Sequence, residues 1–171
     1  MKQKNQTNII YREVQKFTQI WLWVIVFIIT GLIWYAFIQQ LLFQIPFGYK
    51  SMSNLLLLIF WIFFGICLPA WLLFARLTVE VRHDDIYLRY FPFHLSFRKI
   101  SIEQLKRYEI TTYRSIRDFG GWGIRYGLKG KKAYNVEGNR GVLLEFLNGK
   151  QLLIGSQRPE EFVLAIQRIP K

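Results

Sequence analysis

The sequence predicts an α+β protein in two parts: an N-terminal transmembrane helical hairpin, then a curled sheet of about seven short strands whose open end is plugged by a C-terminal capping helix. Three observations carry this prediction. Residues 17–49 and 51–75 contain no charged side chain. After Arg76 the hydrophobic period changes from helical to two. At the end of the chain Phe162, Ile166 and Ile169 are spaced for one face of an amphipathic helix.

Each uncharged run exceeds the roughly 20 apolar residues that cross a hydrocarbon core about 30 Å thick. Helices are predicted at 18–39 and 52–75, between a basic tail (1–16) and a cytoplasmic domain (76–171). A cleaved signal peptide fits poorly, because its apolar region is only about 7–15 residues and ends in a small-x-small site. Here the run continues into "WYAFIQQLLFQIP". Trp21, Trp23 and Trp71 stand where one aromatic belt belongs, and Trp34, Tyr35 and Tyr49 where the other does. An antiparallel hairpin pairs equal depths at numbers summing to about 92, which sets Gly31 level with Trp61 as a small residue making room for a large one.

The tail carries Lys2, Lys4, Arg12 and Lys16 against Glu13, the inter-helix turn carries only Lys50, and the rest of the chain is again basic. The positive-inside bias therefore places both termini in the cytoplasm of a multi-pass protein of the inner (plasma) membrane. The single cysteine, Cys67, lies within the second helix, so no intramolecular disulfide can form.

Beyond the membrane, "LTVEV" alternates, His83-Asp84-Asp85 reads as a turn, and Ile86, Leu88 and Tyr90 alternate until Pro92. "LSFRKI" reads as a third strand. Ser101 and Gln104 form a capping box for one helical turn ahead of a fourth. Val142, Leu144 and Phe146 lead into Asn148-Gly149, a strong hairpin signal, and "KQLLIG" returns. Pro159-Glu160-Glu161 then opens the terminal helix.

The segment "RDFGGWGIRYG" holds an Asp-Phe-Gly and nearly spells a glycine fingerprint. A kinase would need its catalytic-loop, strand-lysine and glycine-loop motifs as well, and they are missing. A dinucleotide fingerprint must open a helix, but "LKGKKAYN" follows, a basic turn and a strand. Gly121, Gly123 and Gly127 are accordingly read as structural glycines, serving a bend or a close approach.

"RSIRDFGGWGIRYG", "KAYNVEGNRGVLLEFLNGKQLLIGSQRPEE" and the preceding hairpin resemble an uncharacterised group of prokaryotic two-helix membrane proteins with a bacterial pleckstrin-homology-like (PH-like) cytoplasmic domain. The resemblance implies a split barrel of two curled sheets with a helix across one opening, and no reaction. The two-helix photosystem I assembly factor is similar in layout, without a shared motif.

No catalytic, cofactor or metal constellation stands out. His83 and His94 are isolated, Asp84-Asp85 fall in a turn, and Glu160-Glu161 sit where a helix dipole favours negative charge. Most of the domain's excess positive charge lies between Arg114 and Arg158. Arg114, Arg117, Arg125, Lys129, Lys131, Lys132 and Arg140 form the expected surface for a lipid or a partner, with Tyr113, Phe119, Trp122 and Tyr134 among them. Basic residues near a bilayer are drawn to anionic headgroups by about 1 kcal/mol each. The expectation is a non-enzymatic adaptor or regulator, integral to the bilayer, that binds anionic phospholipid headgroups or another membrane protein. A ligand-free assembly or scaffold subunit is the alternative, and tethering to a membrane argues against nucleic acid.

Overall fold

The computed structural model describes residues 9–48, 52–127 and 130–170. The chain divides into a helical unit, residues 18–74, and a β unit built from the segments on either side of it.

In the helical unit, α1 (Ile20–Leu42) and α2 (Asn54–Phe74) are both long and apolar enough to cross a bilayer. Ser53 caps α2, its Oγ accepting from the Leu56 amide at 3.4 Å. The end of α1 (Ile38–Leu42) and the middle of α2 (Trp61–Cys67) are wound as π-helix. Within that middle stretch two carbonyls take side-chain donors from α1, Phe64 from Thr30 Oγ1 and Gly65 from Trp34 Nε1, each at 3.1 Å.

The hairpin register differs from the expected one. Trp61 stacks on Phe37 with ring centroids 4.2 Å apart and meets Trp34 edge-on at 5.2 Å. A Cβ at Gly65 would lie 3.1 Å from the Trp61 ring and 3.4 Å from Trp34, whereas one at Gly31 would meet nothing within 4 Å. The small residue at the crossing is Gly65, not Gly31, because the interhelical hydrogen bonds fix the depth and a tally of positions does not. Tyr49, Lys50 and Ser51 lie outside the described residues.

The β unit holds two sheets. The first is antiparallel in the order β1 (Ile9–Lys16), β2 (Arg76–Arg82), β3 (Ile86–Phe91) and β4 (Arg98–Ile100). The second contains β5 (Leu105–Thr112), β6 (Gly123–Tyr126), β7 (Lys132–Asn135), β8 (Arg140–Phe146) and β9 (Gln151–Gly155), in the order β5-β8-β9-β7-β6. Its pairs are antiparallel except β7 with β9. A five-residue helix, α3 (Ser115–Phe119), precedes β6, and α4 (Pro159–Gln167) closes the chain. Phe162, Ala165 and Ile166 of α4 are buried, and the helix packs on β1 and β2 of one sheet and β5 and β8 of the other. The core is filled by Leu77, Val79, Val81, Ile86, Leu88, Tyr90, Val142, Leu144, Ile154 and Phe162. Each such side chain contributes on the order of 2 kcal/mol by burial.

The basic tail read at 1–16 is corrected by β1. Ile9–Lys16 forms a strand whose residues alternate, with Tyr11, Glu13 and Gln15 buried and Arg12, Val14 and Lys16 exposed. It pairs antiparallel with β2 from Tyr11↔Val81 to Lys16↔Arg76. Hydropathy hides the strand because its inward side chains are polar. Glu13 holds them: its carboxylate accepts from Ser156 Oγ at 2.6 Å, from the Gln157 amide at 2.7 Å, from Gln15 Nε2 at 3.2 Å and from the Tyr11 hydroxyl. Gln15 also donates to the Gly155 carbonyl at 2.7 Å, and the Tyr11 ring stacks on Phe162 with centroids 5.4 Å apart. A buried carboxylate is tolerated where several donors satisfy its oxygens.

Two smaller expectations change. "LSFRKI" narrows to Arg98–Ile100. The turn Ile102–Gln104 is present, but Ser101 makes no capping bond; Asp85 Oδ1 accepts from the Ile102 amide instead, at 2.8 Å.

Candidate binding surface

The segment from Arg114 to Arg140 is built around α3 and the β6–β7 hairpin. Asp118 starts the helix by accepting from the Arg114 amide at 2.8 Å. Gly120, left-handed at φ +69°, ends it, its amide donating to the Ile116 carbonyl while the Gly121 amide donates to Ser115.

The glycines that follow have distinct geometries. Gly121 and Gly123 have φ of +130° and +107°, which side-chain-bearing residues rarely adopt. Gly127 has no such φ, but a Cβ there would meet the Asp118 carbonyl and the Phe119 ring at 2.9 Å, so its backbone packs against α3. Along β6 burial falls from Gly123, which is buried, through half-buried Ile124 to exposed Arg125 and Tyr126. Gly123 is buried and faces the Tyr90 hydroxyl, while Tyr126 is 71% exposed. A Cβ at 123 would make only an ordinary contact with the Tyr90 hydroxyl, 3.7 Å away, so the positive φ and not crowding favours glycine there.

The seven basic residues expected to form one surface are divided among different surroundings. Arg140 is ion-paired to Glu160 of α4. Arg125 turns back on its own strand, Nε donating to the Trp122 carbonyl at 2.8 Å, with its guanidinium beside Gly121. Arg114 and Arg117 border a shallow recess with Asp118 and Asn139. Lys129 lies outside the described residues. Lys131 and Lys132 line an open groove of about 730 Å³ with Tyr126, Phe146, Lys150 and the Asn148-Gly149 turn. The Lys132 ammonium lies 4.9 Å from the Tyr134 ring centroid and 5.3 Å from that of Tyr126. Burial works against its charge, but the two phenols outweigh burial and hold Lys132 above the ordinary lysine range.

Sequence reasoning passed over Lys150, which belongs to this groove because the Asn148-Gly149 turn folds it back beside Lys131 and Lys132. It also passed over the outer face of the first sheet. There Glu80, only 3% exposed, pairs with Arg82 at 2.7 Å and with Arg12 at 3.5 Å. Arg82 covers Tyr87 at 4.1 Å, and Phe97 sits between Arg82 and Arg89 at 5.3 and 4.7 Å. The alternation of charge and ring was visible in β3, but the cross-strand register that stacks them was not.

Among the described residues no group of three or more His, Cys, Asp or Glu side chains is placed to hold a metal ion. His94 is buried, its ring 5.6 Å from that of Tyr134. Burial, then Arg98 and Lys132, depresses its pKa below the ordinary 6.5.

A family of unknown function, DUF6141, matches residues 2–169 of the chain. No curated protein and no solved structure matches it significantly.

Proposed function

With the chain belonging to this family of unknown function, we propose that it is a non-enzymatic integral membrane protein that presents a PH-like binding module at the cytoplasmic face of the inner membrane of a prokaryote. The observation that carries the reading is the Lys16↔Arg76 pair. The chain leaves the β unit after β1, makes two apolar helices, and re-enters at the neighbouring strand. Spanning helices arranged in this way return both ends to one side of a bilayer, and the basic character of both flanks makes that side the cytoplasm. Two sheets bridged by a terminal helix support a PH-like split barrel.

The module acts through the groove of Lys131, Lys132 and Lys150, whose positive charge suits an acidic surface, either of another membrane protein or of anionic headgroups. A scaffold without a ligand is favoured by a different observation: Arg140 and Arg158 are ion-paired within the unit. Crosslinking of the full chain in native membranes tests the proposal, using wild type beside a variant with Lys131, Lys132 and Lys150 changed to Glu. The expected result is a specific protein or lipid adduct that the variant loses while remaining folded and inserted. A stoichiometric protein adduct that survives the triple change would replace the binding module by the scaffold.

A further inference from the structure

The turn between β3 and β4, residues 92–97, displays Phe93 and Leu95 at 61% and 78% exposure. Leu95 is the most exposed large apolar side chain of the β unit among the described residues. The turn is nonetheless fixed. His94, between them, is buried, and its amide donates to the Tyr90 carbonyl at 2.8 Å. Phe97 is held between two guanidinium groups. Anchoring at 94 and 97 turns the side chains at 93 and 95 outward.

The place of this turn in the sheet gives its apolar tip a meaning. Lys16 pairs with Arg76, and Arg76 pairs with Phe91. The three strands therefore end in one row, and the turn continues from that row. It is also the row at which the chain passes to and from the helices, since α1 begins at Ile20 and α2 ends at Phe74. The other end of β2 and β3 carries the polar turn His83-Asp84-Asp85. The row from which the turn continues carries Lys16 and Arg76, and Arg98 follows the turn, all three exposed, with the Arg76 guanidinium 5.5 Å from the Phe91 centroid. An apolar turn continuing from a row of basic strand ends suits the boundary between headgroups and acyl chains, where aromatic side chains gather and basic ones meet lipid phosphate.

We propose that the turn 92–97 inserts Phe93 and Leu95 into this boundary, giving the β unit its own contact with the membrane in addition to the two helices. The inference rests on reading the helices as spans. It is tested with the full chain in vesicles of phosphatidylcholine and phosphatidylglycerol. The sole cysteine is removed by Cys67→Ser, and an environment-sensitive fluorophore is attached after Leu95→Cys, His83→Cys or Phe27→Cys. The Leu95 label is expected to emit further to the blue than the His83 label, to be quenched by lipid spin-labelled near the headgroup, and to be several-fold less accessible to iodide. Phe27, exposed within α1, reports on the span through quenching by lipid spin-labelled deep in the chain. Iodide access at Leu95 equal to that at His83, with Phe27 quenched at depth, would overturn the membrane-inserting turn alone. Loss of deep quenching at Phe27 would overturn the span, and this inference with it.

Discussion

The helical hairpin and the β unit turn their apolar residues in opposite directions. Within Ile20–Phe37 only Val26 and Ala36 are buried, whereas β2 buries Leu77, Thr78, Val79, Glu80 and Val81 in succession. In the hairpin, Trp34 and Trp61 pack at Gly65, Phe37 stacks on Trp61, and Thr30 and Gln40 add hydrogen bonds to Phe64, Met52 and Asn54. The β unit is held by a continuous core and by a polar network inside it. Composition alone therefore marks the hairpin, while the integrity of the β unit depends on residues that hydropathy treats as surface.

The largest effect is expected at Glu13. Changing Glu13 to Leu leaves Ser156, Gln15, Tyr11 and the Gln157 amide without their shared acceptor, at a cost of about 3 kcal/mol. Thermal unfolding in detergent, followed through the β signal in circular dichroism, should show the loss. A Glu13→Leu protein as stable as wild type would mean that the buried network is dispensable.

In the hairpin, Gly65→Leu is expected to weaken helix packing by roughly 2 kcal/mol through overpacking against Trp61 and Trp34, and Gly31→Leu to be nearly silent. Steric trapping or denaturation in mild detergent compares the two, and the reverse ranking would restore the register expected from sequence. Gly123→Val should cost on the order of 1–2 kcal/mol, because its φ of +107° strains any branched residue. Crowding contributes little there, since the nearest atom to an added Cβ, the Tyr90 hydroxyl, is 3.7 Å away. Unchanged unfolding with lost binding would instead assign Gly123 to a ligand surface.

Much of this architecture was legible from local pattern. Charge-free runs marked both helices, period-two alternation marked β2, β3 and β8, and the Phe162-Ile166 spacing marked the buried face of α4, while Ile169, read as part of the same face, is buried just past the helix end. Features set by partners distant in sequence were not legible. β1 depends on a hydrogen-bond acceptor shared with Ser156 and Gln157, the hairpin register depends on carbonyls at Phe64 and Gly65, and the basic groove depends on a turn that brings Lys150 to Lys131. Arg125 and Arg140 carry charges that the sequence counts as available, yet the fold directs one to the Trp122 carbonyl and the other to Glu160.

The apolar hairpin is an insertion into one β unit, so that the described segments on either side of residues 18–74 form a single folding entity. Because Lys16 pairs with Arg76, replacing residues 18–74 by Asn-Gly, a sequence suited to a two-residue hairpin turn, should give a water-soluble chain that unfolds cooperatively. The fragment Arg76–Lys171 alone lacks β1 and the Glu13 network, and should aggregate or unfold without a clear transition. Side-by-side thermal denaturation of the two proteins is the decisive measurement. A sharp transition only in the fused chain is the result expected, and equal melting temperatures for both would contradict the claim.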